Sequence, residues 1–185
     1  RVFIGQFVKG MEYSELRALE RFDEIEVRRY GRDCFIHREP APEDIEAARE
    51  HYGPDARRVF LCDGNALILP TPHLRRILTK LEQTFPDLQR VGVYANARDL
   101  VSKPIADLKE LVRHRLSIFY LGLESGSDAI LRQIDKGATA DEMVAGVRHG
   151  MSAGMKSSVI YLLGIGGRKH WQENAIESAK AVSQW

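Results

Sequence analysis

The chain has 185 residues, of which 44% are hydrophobic and 29% are charged, and its formal net charge is +1. A chain of this length can bury one sizeable core, so we expect one domain or part of a larger one. A net charge near zero gives no overall positive potential that would attract nucleic acid or an anionic membrane. Such binding would need a local basic patch, so nucleic acid is not indicated as a partner.

Other features of the sequence predict a cytoplasmic protein without membrane contact. No apolar run reaches the roughly 18 residues that a membrane-spanning helix needs, and the N-terminus shows no signal-peptide pattern. The two cysteines, Cys34 and Cys62, are too few for a disulfide framework, and Cys62 falls in an apolar run typical of a buried strand.

The first part of the chain is predicted to form an extension followed by a strand and a helix. Residues 1–23 are the extension, with a short strand at 2–8 and a short helix at 13–19. Residues 24–30 alternate apolar and charged side chains, which is typical of a strand with one wetter face. A loop then leads past two prolines into a helix at 43–52.

Two strand and helix units follow. An apolar strand at 58–62 runs into the turn formed by Asp63, Gly64 and Asn65, and a helix after Pro72 carries a stripe of apolar residues. That stripe consists of Leu74, Ile77, Leu78 and Leu81. A third strand is predicted at 91–95, with a loop at 96–100 and a helix after Pro104.

The most informative stretch is a buried strand that ends at Glu124. Even-numbered positions from Ile118 to Glu124 alternate with large apolar residues, so a carboxylate stands where the strand meets a polar turn. Ser127 or Asp128 can cap the helix at 129–134, whose free N–H groups then face the same turn.

The remaining elements are a helix and a further unit. Residues 139–142 form a capping box for a helix that runs to about residue 150. A fifth strand at 156–163 ends in a glycine-rich turn, and a last helix is predicted at 171–181.

Five strand and helix units in series predict an α/β fold with a parallel sheet. Such units form either an open doubly wound sheet or a barrel, and five are too few to close an eight-stranded barrel. An open partial barrel is expected, and its free edge could pair with another copy of the chain in a homo-oligomer.

Three segments resemble one family. Residues 121–137 (LGLESGSDAILRQIDKG), 59–70 (VFLCDGNALILP) and 160–167 are similar to the fourth-, second- and fifth-strand segments of radical S-adenosylmethionine (radical SAM) enzymes of the elongator-like and coproporphyrinogen-dehydrogenase-like kind. The resemblance covers residues 24–185 and implies a partial (β/α)6 TIM-like barrel, here ending before a sixth strand. It also implies a [4Fe–4S] cluster and S-adenosylmethionine (SAM), from which a 5′-deoxyadenosyl radical is generated, with a small-molecule or macromolecular substrate that is unknown.

The resemblance also implies roles for individual residues. The turn of Asp63, Gly64 and Asn65 matches the contact to the methionine ammonium of SAM. Glu124, with Ser125 beside it, matches a position that approaches the ribose or the methionyl part. The adenine-binding segment matches four consecutive residues, Leu163, Gly164, Ile165 and Gly166.

The cluster motif departs from the family pattern. The family places three cysteines in a C-x-x-x-C-x-x-C loop, because three thiolates leave one iron open to chelate SAM. This chain has Tyr30, Cys34 and His37 at the matching positions, so Cys34 keeps the middle ligand and His37 could bind iron through its imidazole. The ligands are either naturally lost or belong to a loop that is missing from this sequence.

Three functions therefore stay open. The first is a radical SAM enzyme core, and the second is a catalytically inactive SAM-binding, nucleotide-binding or scaffold domain that has lost its cluster ligands. The third is an aldolase-like barrel fragment, which Lys156 disfavours because it begins the fifth strand at the wrong end for a Schiff base. His170 and Trp171 follow the fifth-strand glycines and could line the mouth of the site.

Overall fold

The computed structural model describes residues 2–4, 42–61 and 65–185. Five strands lie in these ranges: β1 (Val2–Ile4), β2 (Arg58–Leu61), β3 (Arg90–Tyr94), β4 (Leu116–Glu124) and β5 (Lys156–Tyr161). The helices in the same ranges are α1 (Pro42–Tyr52), α2 (Thr71–Thr84), α3 (Ala97–Ser102), α4 (Ile105–Arg113), α5 (Asp128–Gln133), α6 (Ala140–Ser152) and α7 (Gly167–Val182), with a 3₁₀ turn at Ala66–Ile68.

The strands form one parallel sheet in the order β1-β2-β3-β4-β5. A doubly wound sheet reverses its strand order at a switch point, whereas a barrel adds each strand beside the previous one. The described strands show no reversal, so the strand order decides between the two architectures in favour of the predicted partial barrel.

The two faces of the sheet differ. Alternate residues such as Val91, Val93, Phe119 and Leu121 are buried, and they belong to one hydrophobic core with the helices. The predicted stripe of α2 lies in the same core, since Leu74, Ile77, Leu78 and Leu81 are all buried.

The opposite, inner face carries three aromatic rings. Phe60, Tyr94 and Tyr120 contact one another edge to face, with ring centroids between 4.9 and 6.1 Å apart. The Phe60 ring also covers Gly92, where an added Cβ would lie 2.8 Å from it. These rings therefore fill the middle of the inner face, below the C-terminal ends of the strands.

The prediction of a loop at residues 96–100 is wrong, because α3 begins at Ala97. An added Cβ at Gly146 of α6 would lie 2.7 Å from Cα of Ala97, so the two helices touch closely. The helical conformation of this segment is favoured by packing against a distant glycine, which the local sequence does not reveal.

Some predictions fall on residues outside the described ranges. These are the strand at 24–30, the loop with Cys34 and His37, and the segment of Cys62, Asp63 and Gly64. Within the N-terminal 23 residues, Val2–Ile4 joins the sheet beside β2. None of the described helices is long and apolar enough to cross a membrane.

Candidate functional site

Glu124 ends β4 in an unusual backbone conformation. Its φ is 61°, in the left-handed region that side chains other than glycine adopt rarely. The backbone N–H of Leu162 donates to the Glu124 carbonyl oxygen at 3.1 Å, so the ends of β4 and β5 are joined at this residue. Backbone strain of this kind is common at ligand-binding sites.

Glu124 forms an ion pair with Lys136. The lysine Nζ donates to Oε1 of Glu124 at 3.2 Å, and the two side chains are 24% and 21% exposed. The pair is thus partly shielded from water but still reachable by a ligand. Sequence reasoning missed Lys136, because nothing local shows that a residue beyond α5 returns to the end of β4.

Gly122 makes room for this ion pair. A Cβ at Gly122 would lie 2.2 Å from Oε1 of Glu124 and 3.2 Å from Nζ of Lys136. The carboxylate therefore folds back over the inner face of β4, above Tyr120. A glycine at this position is needed for the side-chain arrangement rather than for a turn.

An apolar surface adjoins the carboxylate at the end of β5. Ile160, Leu162 and Leu163 are 39%, 44% and 87% exposed, although they are large and hydrophobic. Gly164 turns the chain with a φ of 79°, and a Cβ there would meet no neighbouring atom.

The last glycine of the predicted adenine segment has a structural reason of its own. A Cβ at Gly166 would lie 2.7 Å from the carbonyl oxygen of His170, so this glycine allows the first turn of α7 to close. Ile165 before it is half-buried. The open part of the segment is consequently Leu163 with Gly164.

The turn after Glu124 is fixed against α7. Ser125 is fully buried, and its Oγ accepts a hydrogen bond from the N–H of Ser127 at 3.0 Å. The N–H of Gly126 donates to Oγ of Ser178 at 2.8 Å, and a Cβ at Gly126 would lie 2.2 Å from the carbonyl oxygen of Glu177. The Ser125 side chain therefore supports the turn from inside.

Ser127, one of the two residues predicted to cap α5, caps this helix and also connects it to α7. Its Oγ accepts from the N–H of Ile130 and donates to Glu173, which also contacts His170 at 3.1 Å. The hydrogen bond from Ser127, followed by the one from His170, lowers the pKa of Glu173 below its usual 4.5. His170 is thus engaged with Glu173, whereas Trp171 is exposed.

Asn65, which follows β2, is bonded to the start of α3. Its Nδ2 donates to Oδ2 of Asp99 at 2.5 Å, and its Oδ1 accepts from the N–H of Asn96 at 3.3 Å. Glu124 is the last residue of β4, and Asn65 and Leu163 follow β2 and β5, so the structure places these three residues along one edge of the parallel sheet. Asp63 and Gly64 lie outside the described residues.

The profile of the radical SAM superfamily matches residues 19–179. The chain belongs to the radical SAM superfamily. The resemblance seen in the sequence is therefore confirmed, and with it membership in a family of enzymes.

Two radical SAM enzymes of known structure are similar to the chain. Coproporphyrinogen III oxidase (HemN) from Escherichia coli aligns with 70% of this chain and 29% of its own, at 14% identity and a TM-score of 0.56. OxsB, a cobalamin-dependent S-adenosylmethionine radical enzyme, aligns with 76% of this chain and 21% of its own, at 17% identity and a TM-score of 0.50.

These likenesses support the partial TIM-like barrel, and at such identities they show the fold alone. The chain spans less than a third of either structure. No curated protein matches the chain.

The residues of this radical SAM chain do not fit the cluster of the family. Three thiolates are needed, and the whole sequence holds two cysteines. In the described ranges, no group of three or more His, Cys, Asp or Glu side chains could hold a metal ion. The predicted ligands Cys34 and His37 lie outside those ranges.

Proposed function

We propose that the C-terminal edge of the sheet binds SAM. The observation that carries this proposal is the half-buried pair of Glu124 and Lys136, which lies over Gly122 and beside the exposed apolar turn after β5. An anion, a cation and an apolar platform on one edge match the three kinds of group that SAM presents.

Each group of SAM has a matching partner at this edge. The carboxylate of Glu124 can accept from the ribose hydroxyls, because an ionised acceptor forms stronger hydrogen bonds than a neutral one. The ammonium of Lys136 can pair with the methionyl carboxylate, which is a role that the sequence did not indicate. Both assignments use side chains that remain partly exposed.

The other assignments follow the family pattern. Adenine would lie on Leu163 and Gly164, with Ile165 and Gly166 completing that segment. The turn of Asp63, Gly64 and Asn65 would receive the methionyl ammonium through backbone carbonyl groups. Ser125 would act from inside the turn by holding Glu124 in place, since it is fully buried.

Whether the chain can hold the iron–sulfur cluster distinguishes two candidate functions. In radical SAM enzymes the cluster supplies the electron that cleaves SAM, and the two cysteines of this chain are too few for its usual ligand set. We therefore assign SAM binding to the chain and no cleavage step. The cysteine count favours, as a second candidate, a SAM-binding or nucleotide-binding domain that does not catalyse radical formation.

Titration calorimetry with SAM tests the binding site. We expect Glu124→Gln to weaken SAM binding about tenfold or more, because hydrogen bonds to a charged group contribute about 1.5–3 kcal/mol. We expect Lys136→Met to weaken the binding of SAM but not that of methylthioadenosine, which lacks the aminocarboxypropyl chain and therefore the carboxylate.

A matched ion pair on α7 supplies the control. Nζ of Lys180 lies 2.7 Å from Oε1 of Glu177, and these side chains are 66% and 38% exposed. Glu177→Gln and Lys180→Met should therefore leave SAM affinity unchanged. No binding of SAM by the unmodified chain would contradict the proposal. Equal losses of SAM affinity in the variants of the Glu124–Lys136 pair and in those of the Glu177–Lys180 pair would also contradict it.

Anaerobic reconstitution with iron and sulfide separates the two candidates. About four irons per chain with absorbance near 400 nm would support a catalytic radical SAM domain. Iron-free protein that still binds SAM would support the non-catalytic domain.

A further inference from the structure

The opposite edge of the sheet is basic. Arg58, Arg90 and Lys156 are the first residues of β2, β3 and β5, and Arg57 directly precedes β2. We call these four residues the basic edge. Arg58, Arg90 and Lys156 are far apart in the sequence, and the parallel topology places them at the N-terminal ends of three strands, with β4 between those of Arg90 and Lys156.

Two of these cations stand directly opposite each other. Arg58 and Arg90 are register partners in the β2–β3 ladder, so their side chains lie on the same face about 4.8 Å apart at the backbone. The carbonyl oxygen of Arg57 also accepts from the N–H of Arg90 at 3.3 Å. Like charges directly opposite across two strands are destabilising, so the bare arrangement disfavours folding.

Among the residues that the structure describes, no carboxylate pairs with the basic edge. None of its four residues forms an ion pair in the part of the chain that the structure describes. Glu82 is already shared by His114 at 3.0 Å and Arg115 at 3.6 Å. Helix dipoles do not explain these cations either, because all four lie outside helices.

The arrangement fits an extended chain of anions. The basic edge extends from β2 to β5, without a cation on β4, and so spans about 14 Å. Lys156 lies level with Gly92, two residues along the strand from Arg90. Arg57, Arg58 and Lys156 are exposed and Arg90 is half-buried, so each of the four cations is at least partly open to solvent. Arginine pairs with phosphate oxygens through two parallel hydrogen bonds.

We propose that the basic edge binds the phosphate backbone of a nucleic-acid strand. The net charge of +1 gives no chain-wide attraction, so binding rests on this local row. The row lies at the other end of the strands from Glu124, and a strand bound there leaves the proposed SAM site free. This inference is therefore independent of the proposed SAM binding.

Fluorescence anisotropy with a labelled single-stranded oligonucleotide tests the proposal. Four phosphate contacts predict a slope of about −2.8 in log K against log salt, or about a fiftyfold loss of affinity between about 50 and 200 mM salt. In the double variant Arg58→Glu with Arg90→Glu, two contacts remain and the slope should fall to about −1.4.

Two further variants separate binding from folding. Arg58→Glu alone places opposite charges in the β2–β3 register, so it should weaken oligonucleotide binding while the melting temperature stays equal or rises. Lys109→Glu with Arg148→Glu changes the net charge equally at exposed positions on α4 and α6, and should keep the slope of the unmodified chain.

Three outcomes would overturn the proposal. The unmodified chain could fail to bind the oligonucleotide at low salt, or the Arg58 and Arg90 double variant could keep its affinity and slope. Equal competition by polyglutamate would assign the basic edge to an acidic protein segment instead of a phosphate backbone.

Discussion

At the scale of single residues, the site depends on a glycine that is two positions before the carboxylate. Gly122 leaves the space into which Glu124 folds, and Lys136 closes over both. The three residues therefore act as one unit, in which the missing side chain of one sets the position of the other two.

Replacing Gly122 by alanine tests this unit. The added Cβ meets the flexible end of Glu124 rather than backbone, so we expect the free energy of unfolding to change by less than about 1 kcal/mol. We expect SAM affinity to fall about tenfold, because the displaced carboxylate loses hydrogen bonds to its ligand. Calorimetry and urea unfolding measure the two quantities.

A double-mutant cycle provides the control for Gly122→Ala. In a Glu124→Ala background the same glycine replacement should leave SAM affinity unchanged, since there is no carboxylate to displace. A further loss in that background would show that Gly122 acts through other contacts.

At the scale of elements, the turn after β4 and helix α7 are held together. Gly126 donates to Ser178, and Ser127 donates to Glu173, so two successive residues of the turn bond to the same helix. Because α7 follows the apolar turn after β5, the segments at the ends of β4 and β5 are positioned jointly.

The contact between Ser127 and Glu173 should appear in the acid stability. The folded-state pKa of Glu173 is lowered, so the unfolded chain binds more protons as the pH drops below about 4.5. The stabilisation from this carboxylate is present above the unfolded-state pKa and is lost as the pH falls through the lowered folded-state pKa. Melting temperatures between pH 7 and pH 3 should therefore fall less steeply for Glu173→Gln than for the unmodified chain.

Removing the donors gives an internal check on that result. Ser127→Ala should reduce the acid dependence more than His170→Ala, because the hydrogen bond from Ser127 is the larger cause of the lowered pKa. Identical acid profiles for Glu173→Gln and the unmodified chain would contradict the role of this carboxylate.

Local patterns were readable from the sequence, and distant contacts were not. The capping box of α6 lies within four residues, and it is confirmed by the bonds between Thr139 and Glu142 in both directions. Helix α3 was missed because its packing depends on Gly146. In the same way the sequence indicated Glu124, whereas Lys136 and Glu173 became visible only where the chain folds back.

At the scale of the whole molecule, the parallel direction of the strands separates the proposed SAM site from the basic edge. All strand ends of one sense form the edge with Glu124, and all ends of the other sense form the basic edge. Composition could not show this separation, because the net charge of +1 sums over the whole chain and says nothing of where its charged residues lie.

Binding at the edge with Glu124 should stabilise the fold as a whole. SAM at a hundredfold excess over its dissociation constant adds about 2.7 kcal/mol if it binds only the folded state. For a chain of this size we expect the melting temperature to rise by about 5–10 °C. Glu124→Gln should show a smaller rise at the same SAM concentration, and an equal rise would place the ligand elsewhere.

The left-handed backbone at Glu124 has a consequence for engineering. Glycine and asparagine adopt a φ near 61° more readily than glutamate, so variants carrying them would relax the chain at this point. A library screened for heat resistance alone would tend to discard the acidic side chain. Heat resistance and ligand recognition thus compete at a single position, and screens of this protein should select for both properties together.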